Sequence, residues 1–308
     1  MGAFHHEAVF YRDDDEYLAG TIPHIRAAVD GDGAVLAAVP AAKRQLLEQA
    51  LGAACDYVAF ADMEQLGRNP ARIIPAWREF LGDADPARPG PVVGVGEPVW
   101  PGRSVAELVE CSRHESLLNL AFDGGRPWHL LCPYDAAALD AGVLEDVCRN
   151  HPRLARASET WASDAYTGPR AVLRRPDALP APADHTVELT FGAGDLALVR
   201  GLVTDAARRA GFSGERLDDI VLAVNELVAN TVRHAGGNGV LRMWAESKTF
   251  FCEVADPGRI ADPLAGRSRP SHRRPNGRGL WIVNHLCDLV QVRSTKEGNV
   301  VRLHMSLA

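Results

Sequence analysis

The sequence predicts an α/β protein built in two parts: a mostly parallel sheet with helices on both faces, then a two-layer α/β sandwich. Three observations carry this reading. From Ala8 to Arg149 short β-rich runs alternate with helical runs, the pattern of strand–helix–strand units whose parallel sheet is covered on both sides. A proline-rich stretch with no apolar period, residues 167–186, then breaks the alternation and reads as a linker. Beyond it, two helical runs precede a set of strand-like runs, which gathers the helices on one face.

At 308 residues the chain exceeds the ~100 to 200 residues usual for one domain. The expected division is 1–166, a linker at 167–186, and 187–308. In order, the first part reads as strands at Ala8–Tyr11, Val35–Val39, Tyr57–Ala61, Pro91–Val95 and Trp128–Cys132. Between and after them lie helices at Glu16–Ala28, Ala41–Leu51, Ala71–Leu81, Val105–Phe122 and Ala136–Arg149. Ser104 with Glu107 has the spacing of a capping box at the start of the long helix. A short helix at Arg153–Ser158 and the stretch around Trp161 finish this part. The second part reads as strand Val187–Phe191, helices Ala193–Ala210 and Ser213–His234, and strands Val240–Ser247 and Phe250–Asp256. Helix Gly279–Cys287 and strands Leu289–Thr295 and Gly298–Leu307 complete it.

Composition excludes several function classes. The net charge of −7 argues against direct nucleic-acid binding, which needs an excess of Lys and Arg on some face. No basic, then apolar, leader opens the sequence. The longest apolar run, Ala34–Ala42, is broken by Pro40 and falls far short of the ~20 residues that span a bilayer. A cytoplasmic protein without membrane contact is expected. Six cysteines without CxxC pairs fit reduced, buried thiols better than a disulfide framework or a zinc ribbon.

The chemistry-bearing residues cluster in the second part. In the run Ser213–His234, Leu217, Ile220, Val221, Val224, Leu227, Val228 and Thr231 form one apolar stripe at helical spacing. Glu226 and Asn230 fall on the opposite side, one turn apart. The pair alone describes any solvated helix face. It is followed in order by Asp256-Pro257-Gly258 at a strand end, an arginine-rich loop at Arg259–Asn276, and Gly277-Arg278-Gly279-Leu280 opening a helix. Glycines before a helix N-terminus leave N–H groups free for phosphate, and the helix dipole adds to the attraction. The loop carries Arg259, Arg267, Arg269, Arg273 and Arg274, with Arg278 at its exit. It reads equally as a lid that neutralises phosphate or docks an acidic partner and as a solvated, mobile loop.

ELVANTVRHA, DPG and NGRGLWIV resemble, in order and spacing, the N box and two glycine boxes of the Bergerat-type (GHKL) ATPase superfamily of gyrase, heat-shock chaperones, histidine kinases and MutL. The short GRGLWIV box is most similar to that of the anti-sigma-factor serine/threonine kinases of the RsbW kind. The resemblance covers Val187–Ala308 and implies ATP and Mg²⁺ as cofactors. It implies Glu226 as the catalytic base and Asn230 as the Mg²⁺ ligand. Asp256 would accept a hydrogen bond from the adenine amino group, while Gly258, Gly277, Arg278, Gly279 and Leu280 complete the nucleotide-binding set. Gly298-Asn299-Val300 stands where the family often has Gly-Thr, which leaves any hydroxyl contribution from that loop in doubt. A sensor histidine kinase would need a phosphoaccepting His on a helical hairpin; here a proline-rich segment precedes the ATPase-like part, and His185 has no amphipathic context.

In the first part, Pro40-Ala41-Ala42-Lys43-Arg44 occupies the strand–turn–helix position of a P-loop but lacks its glycines and GK[ST] ending. FHHEAVFYRDDDEYL, GRNPARIIPAWREFL, VGEPVWPGRSVAELVECSRHESLLNLAF and WHLLCPYD resemble the MEDS domain, a sensory module. That resemblance covers His5–Leu154 and implies a RecA-like sheet that senses an unnamed signal. MEDS followed by this ATPase resembles the RsbA-family anti-sigma regulators. Their kind implies a sigma factor and a STAS-type antagonist as partners, phosphorylation of Ser or Thr on the antagonist, and room for a homodimer. A non-catalytic, nucleotide-dependent docking module is the alternative. Glu107, Glu110, Cys111, His114 and Glu115 lie along one helix. Glu110 and His114 are a candidate metal pair, but without a second His at proper spacing a polar face or buried network is favoured. His5 and His6 read as a mobile terminus more readily than as ligands. Trp100, Trp128 and Tyr134 suit a ligand pocket or the core equally.

Overall fold

The computed structural model describes residues 4–83, 90–169, 178–270 and 277–307, and the chain divides into two compact units, 1–175 and 176–308. The stretch expected to link the two parts runs partly through 170–177, outside the described residues.

The first unit contains, in order, β1 (Phe4–Tyr11), α1 (Asp14–Asp30), β2 (Ala34–Val39), α2 (Ala41–Leu51), β3 (Val58–Asp62), α3 (Met63–Leu66), α4 (Ile73–Asp83), β4 (Val92–Gly96), α5 (Val105–Ala121), β5 (Trp128–Asp135), α6 (Ala141–Asn150), β6 (Arg153–Arg156) and β7 (Glu159–Ala162). Its seven strands lie in the order β3-β2-β4-β5-β1-β6-β7, parallel except where β7 turns back on β6. Val9, Tyr11, Val35, Ala37, Val39, Val93 and Val95 pack with Tyr17 and Ile25 of α1 and Leu47 of α2 into one core. The capping box expected at Ser104 and Glu107 is present, the Ser104 N–H donating to Glu107 Oε2 at 2.8 Å. Lys43, at the position of a P-loop lysine, is paired with Asp14 at 2.8 Å and sits 4.5 Å over the Tyr11 ring.

Two expectations are corrected. Arg153–Ser158 is no helix: Arg153–Arg156 forms β6 in parallel register with β1, and Leu154 and Ala155 are buried there. Four residues are too few for a helical period to show, so pairing with the buried β1 decides the conformation. His5 and His6 are not a loose terminus, because β1 begins at Phe4 and is clamped between β5 and β6, with His6 buried.

At the carboxyl end of this sheet, Tyr11 donates its hydroxyl to Glu97 Oε1 at 2.6 Å. Burial pushes the Glu97 carboxyl up to about 7, against the opposing pull of the Tyr11 bond and the Lys43 charge. A carboxyl raised in the fold carries no penalty below its unfolded value, and stability falls as pH rises toward the folded value. The loss from Glu97 is on the order of 3 kcal/mol, reached near neutrality. Glu97→Gln should therefore flatten the pH dependence: between about pH 5 and about pH 8 the variant's melting temperature should rise relative to wild type. Parallel thermal unfolding curves of the two proteins across that range would refute this role for Glu97.

The second unit contains β8 (Val187–Phe191), α7 (Leu196–Arg209), α8 (Gly214–His234), β9 (Gly239–Glu246), β10 (Thr249–Asp256), α9 (Arg278–Leu286), β11 (Leu289–Ser294) and β12 (Asn299–Ser306). Its strands lie in the order β11-β12-β10-β9-β8, antiparallel throughout. The buried stripe of α8 (Leu217, Ile220, Val224, Leu227, Val228) packs with Val203 of α7, Val283 of α9 and Leu241, Cys252, Val254 and Leu303 of the sheet. This is a two-layer α/β sandwich.

Candidate nucleotide site

The site is built where α8, the end of β10 and the start of α9 meet. Packing of the apolar stripe fixes the rotation of α8, and that rotation leaves Glu226 and Asn230 half-buried on its other side. α9 docks directly on them. A Cβ added to Gly279 would lie 2.8 Å from Asn230 Nδ2 and 3.0 Å from Glu226 Oε2, so any larger residue here would push the ends of those two side chains aside. Gly277, the N-cap of α9, has φ +94° and no side chain to cap the helix. The left-handed conformation suits glycine, and the uncapped first-turn N–H groups are available to an anion.

Asp256 closes β10 and is tied from three directions. Its Oδ2 accepts from Thr231 Oγ1 at 2.8 Å, and its Oδ1 accepts from the Gly258 N–H at 2.8 Å and from Asn299 Nδ2 at 2.9 Å. Asn299 is braced in turn: its Oδ1 accepts from the Ile260 N–H at 3.0 Å and from Ser294 Oγ at 2.7 Å. A carboxylate offers about four acceptor positions, so three bonds orient Asp256 and leave it able to accept one more.

A pocket of about 240 Å³ opens among these elements. Asn230, Asp256, Gly258, Gly277, Gly279 and Leu280 wall it, with Leu227, Val254, Ala235, Ile260 and Val301 supplying apolar surface. Glu226 is outside this wall but reaches the same α9 turn through Gly279. Arg278 is exposed and also outside the wall. In the arginine-rich loop, Arg259 lines the pocket and Arg267 is buried, while Arg273 and Arg274 lie outside the described residues. The described part of this loop is fastened to α9, with Asn284 Nδ2 donating to Gly266 O at 3.1 Å.

Sequence reasoning placed Thr231 in the apolar stripe and left the Asn299 loop in doubt. Both grip Asp256. The signal for Thr231 was a hydroxyl within an otherwise aliphatic stripe; for Asn299 it was an amide where a hydroxyl is usual, which supplies an equivalent donor.

Residues 5–152 match the family described as MEDS, the MEthanogen/methylotroph, DcmR Sensory domain. Residues 190–305 match the histidine kinase-like ATPase domain. The chain is a MEDS domain followed by a histidine kinase-like ATPase domain. This order is that of the RsbA-like anti-sigma regulators. A serine-protein kinase RsbW from Halalkalibacterium halodurans is 28% identical over 123 residues, covering 35% of this chain and 76% of that protein. Among solved structures, the RsbU and RsbW domains of a Mycobacterium tuberculosis protein share 18% identity with a TM-score of 0.31, over 42% of this chain and 33% of that one. The Acinetobacter baumannii histidine kinase AdeS shares 13% identity with a TM-score of 0.25, over 39% of this chain and 67% of that one. The chain spans about a third of the Mycobacterium chain. The match to the histidine kinase-like ATPase domain implies nucleotide binding, and the likeness to a serine-protein kinase RsbW falls within 35% of the chain. No helix among the described residues is long and apolar enough to cross a membrane.

Proposed function

We propose that the ATPase domain binds Mg·ATP and phosphorylates a Ser or Thr of a STAS-type antagonist while capturing a sigma factor, under control of a signal received by the MEDS domain. The observation that carries this is the meeting of Glu226, Asn230 and Gly279 at the uncapped start of α9, beside the pocket that Asp256 closes. Asp256, locked by Thr231, Gly258 and Asn299, presents an acceptor to the adenine amino group. Leu227, Val254, Ile260 and Val301 give the flat base an apolar seat. The first-turn N–H groups of α9 face phosphate oxygens. Asn230 would hold Mg²⁺ through its amide oxygen, a hard ligand for a hard cation. When bound, that ion neutralises charge on the phosphates.

Glu226 takes the proton of the attacking hydroxyl as its oxygen bonds to the γ-phosphorus and the bond to the leaving ADP breaks. In the MEDS domain, a largely apolar cavity of about 290 Å³ between α5 and α6, walled by Val99, Leu108, Val109, Tyr134 and Val147, suits a small apolar signal molecule. Of the aromatics that suggested such a pocket, Tyr134 lines it. Trp128 is buried against Phe4, Phe122 and Trp77, and Trp100 lies under the Arg103 guanidinium. Incubating the full chain with γ-labelled ATP and a STAS-type antagonist should transfer label to a Ser or Thr of the antagonist. Absence of transfer would remove the kinase reading.

A further inference from the structure

Glu110 and His114, the candidate pair on α5, are both buried, and Glu115 beside them meets His6 of β1 and His151. His6 of β1, Glu115 of α5, Cys132 of β5 and His151, just before β6, bring one ligand atom each to a common point, all four within 4.8 Å of one another. Each residue is at most 2% exposed. We propose that His6, Glu115, Cys132 and His151 form a tetrahedral binding site for a borderline transition-metal dication of the Zn²⁺ type inside the MEDS domain.

Four of the six ligand-to-ligand distances lie near those such an ion sets, and the other two are within 4.8 Å. Ligands at Zn–N and Zn–O of about 2.0–2.2 Å and Zn–S of about 2.3 Å, placed tetrahedrally, stand roughly 3.3 to 3.6 Å apart. Here Glu115 Oε2 is 3.0 Å from His6 Nε2 and 3.3 Å from His151 Nε2. Cys132 Sγ is 3.4 Å from His6 Nε2 and 3.7 Å from Glu115 Oε2.

The lone pairs also converge. His151 Nδ1 donates to the Val147 carbonyl at 2.9 Å, which leaves Nε2 unprotonated and facing the cluster. His6 Nδ1 donates to Asn119 Oδ1 at 3.1 Å. That amide is oriented by its own Nδ2, which donates to the carbonyls of Asn150 and Glu115. His6 Nε2 therefore faces the cluster as an acceptor as well. Backing of each imidazole by an acceptor on its far nitrogen is how metal-binding histidines are held.

Two bare imidazole nitrogens around a buried carboxylate repel unless something positive sits between them. Hydrogen bonding leaves the account open: among the described residues His151 Nε2 and Glu115 Oε1 have no hydrogen-bond partner. A dication with Glu115 carboxylate, Cys132 thiolate and two neutral imidazoles sums to zero charge, the condition under which so many polar groups can be buried together. The mixed S, N, N, O set suits Zn²⁺ or its borderline neighbours and not Mg²⁺ or Ca²⁺, which prefer oxygen. Glu115 also edges the 290 Å³ cavity between α5 and α6, which gives the ion a way in.

The test uses the full chain loaded with Co²⁺ in place of Zn²⁺. The wild type should retain about one equivalent after desalting, with the intense visible bands of tetrahedral Co²⁺ and a thiolate-to-cobalt charge-transfer band. Cys132→Ser should lose the charge-transfer band, and His151→Gln should lose stoichiometric retention. Cys111→Ser, which alters a buried thiol bonded to the Pro98 carbonyl instead, should keep both. Wild type that circular dichroism shows folded but that retains neither Co²⁺ nor Zn²⁺ would overturn the site, as would an unchanged cobalt spectrum in Cys132→Ser. Should the variants fail to fold, a wild-type cobalt spectrum without the thiolate band would overturn it by itself.

Discussion

Gly279→Val should abolish useful nucleotide binding while leaving the fold of the second unit intact. A Cβ at this position would stand 2.8 Å from Asn230 Nδ2 and 3.0 Å from Glu226 Oε2, closer than such contacts tolerate. α9 would have to move off α8, or the two side chains would have to turn away. Either response separates the phosphate-facing N–H groups from Asn230 and spoils the geometry on which affinity depends. The expected loss in ATP affinity is on the order of 100-fold, about 3 kcal/mol. The apolar stripe of α8 and its partners in the sheet lie on the other side of the helix, so the melting temperature should fall far less than affinity does. Wild-type affinity in Gly279→Val, measured by calorimetric titration, would show that α9 does not approach the nucleotide as described.

Glu226→Ala should separate binding from transfer. Glu226 lies outside the wall of the pocket, so removing its carboxylate should leave ATP affinity within a few-fold of wild type. Loss of a positioned base costs on the order of 100- to 10,000-fold in the chemical step, and label transfer to the antagonist should fall by that amount. Transfer at the wild-type rate would exclude Glu226 as the base. Partner control that survives Glu226→Ala but fails in variants unable to bind nucleotide would favour a docking module over a kinase.

Much of this site was legible because it sits on periodic elements. The i, i+4 relation of Glu226 and Asn230, turned away from a clean apolar stripe, follows from helical geometry alone, and the Gly277/Gly279 pair announces a helix start. What holds Asp256 was not legible, since Thr231 and Asn299 reach it only after α8 has docked and β10 has paired with β12, with Asp256 opposite Asn299. The same limit explains the first unit. Strand–helix alternation gave away its parallel sheet, but Arg153–Arg156 was misread because its conformation is imposed by β1. His6, Glu115, Cys132 and His151 share no local spacing. Parallel pairing of β1 with β5, which sets Ala8 beside Cys132, and of β1 with β6 assembles them.

Titration of Mg·ATP into the full chain, wild type beside Asp256→Asn, measures the adenine seat itself. Asparagine at 256 would face the donors of Thr231, Gly258 and Asn299 with a single acceptor oxygen, leaving donors unpaired and no acceptor for the adenine amino group. Saturable binding by wild type and affinity at least ~10-fold weaker in the variant are expected. Equal affinities, or a folded wild type that binds no ATP, would contradict the assignment of this pocket to nucleotide.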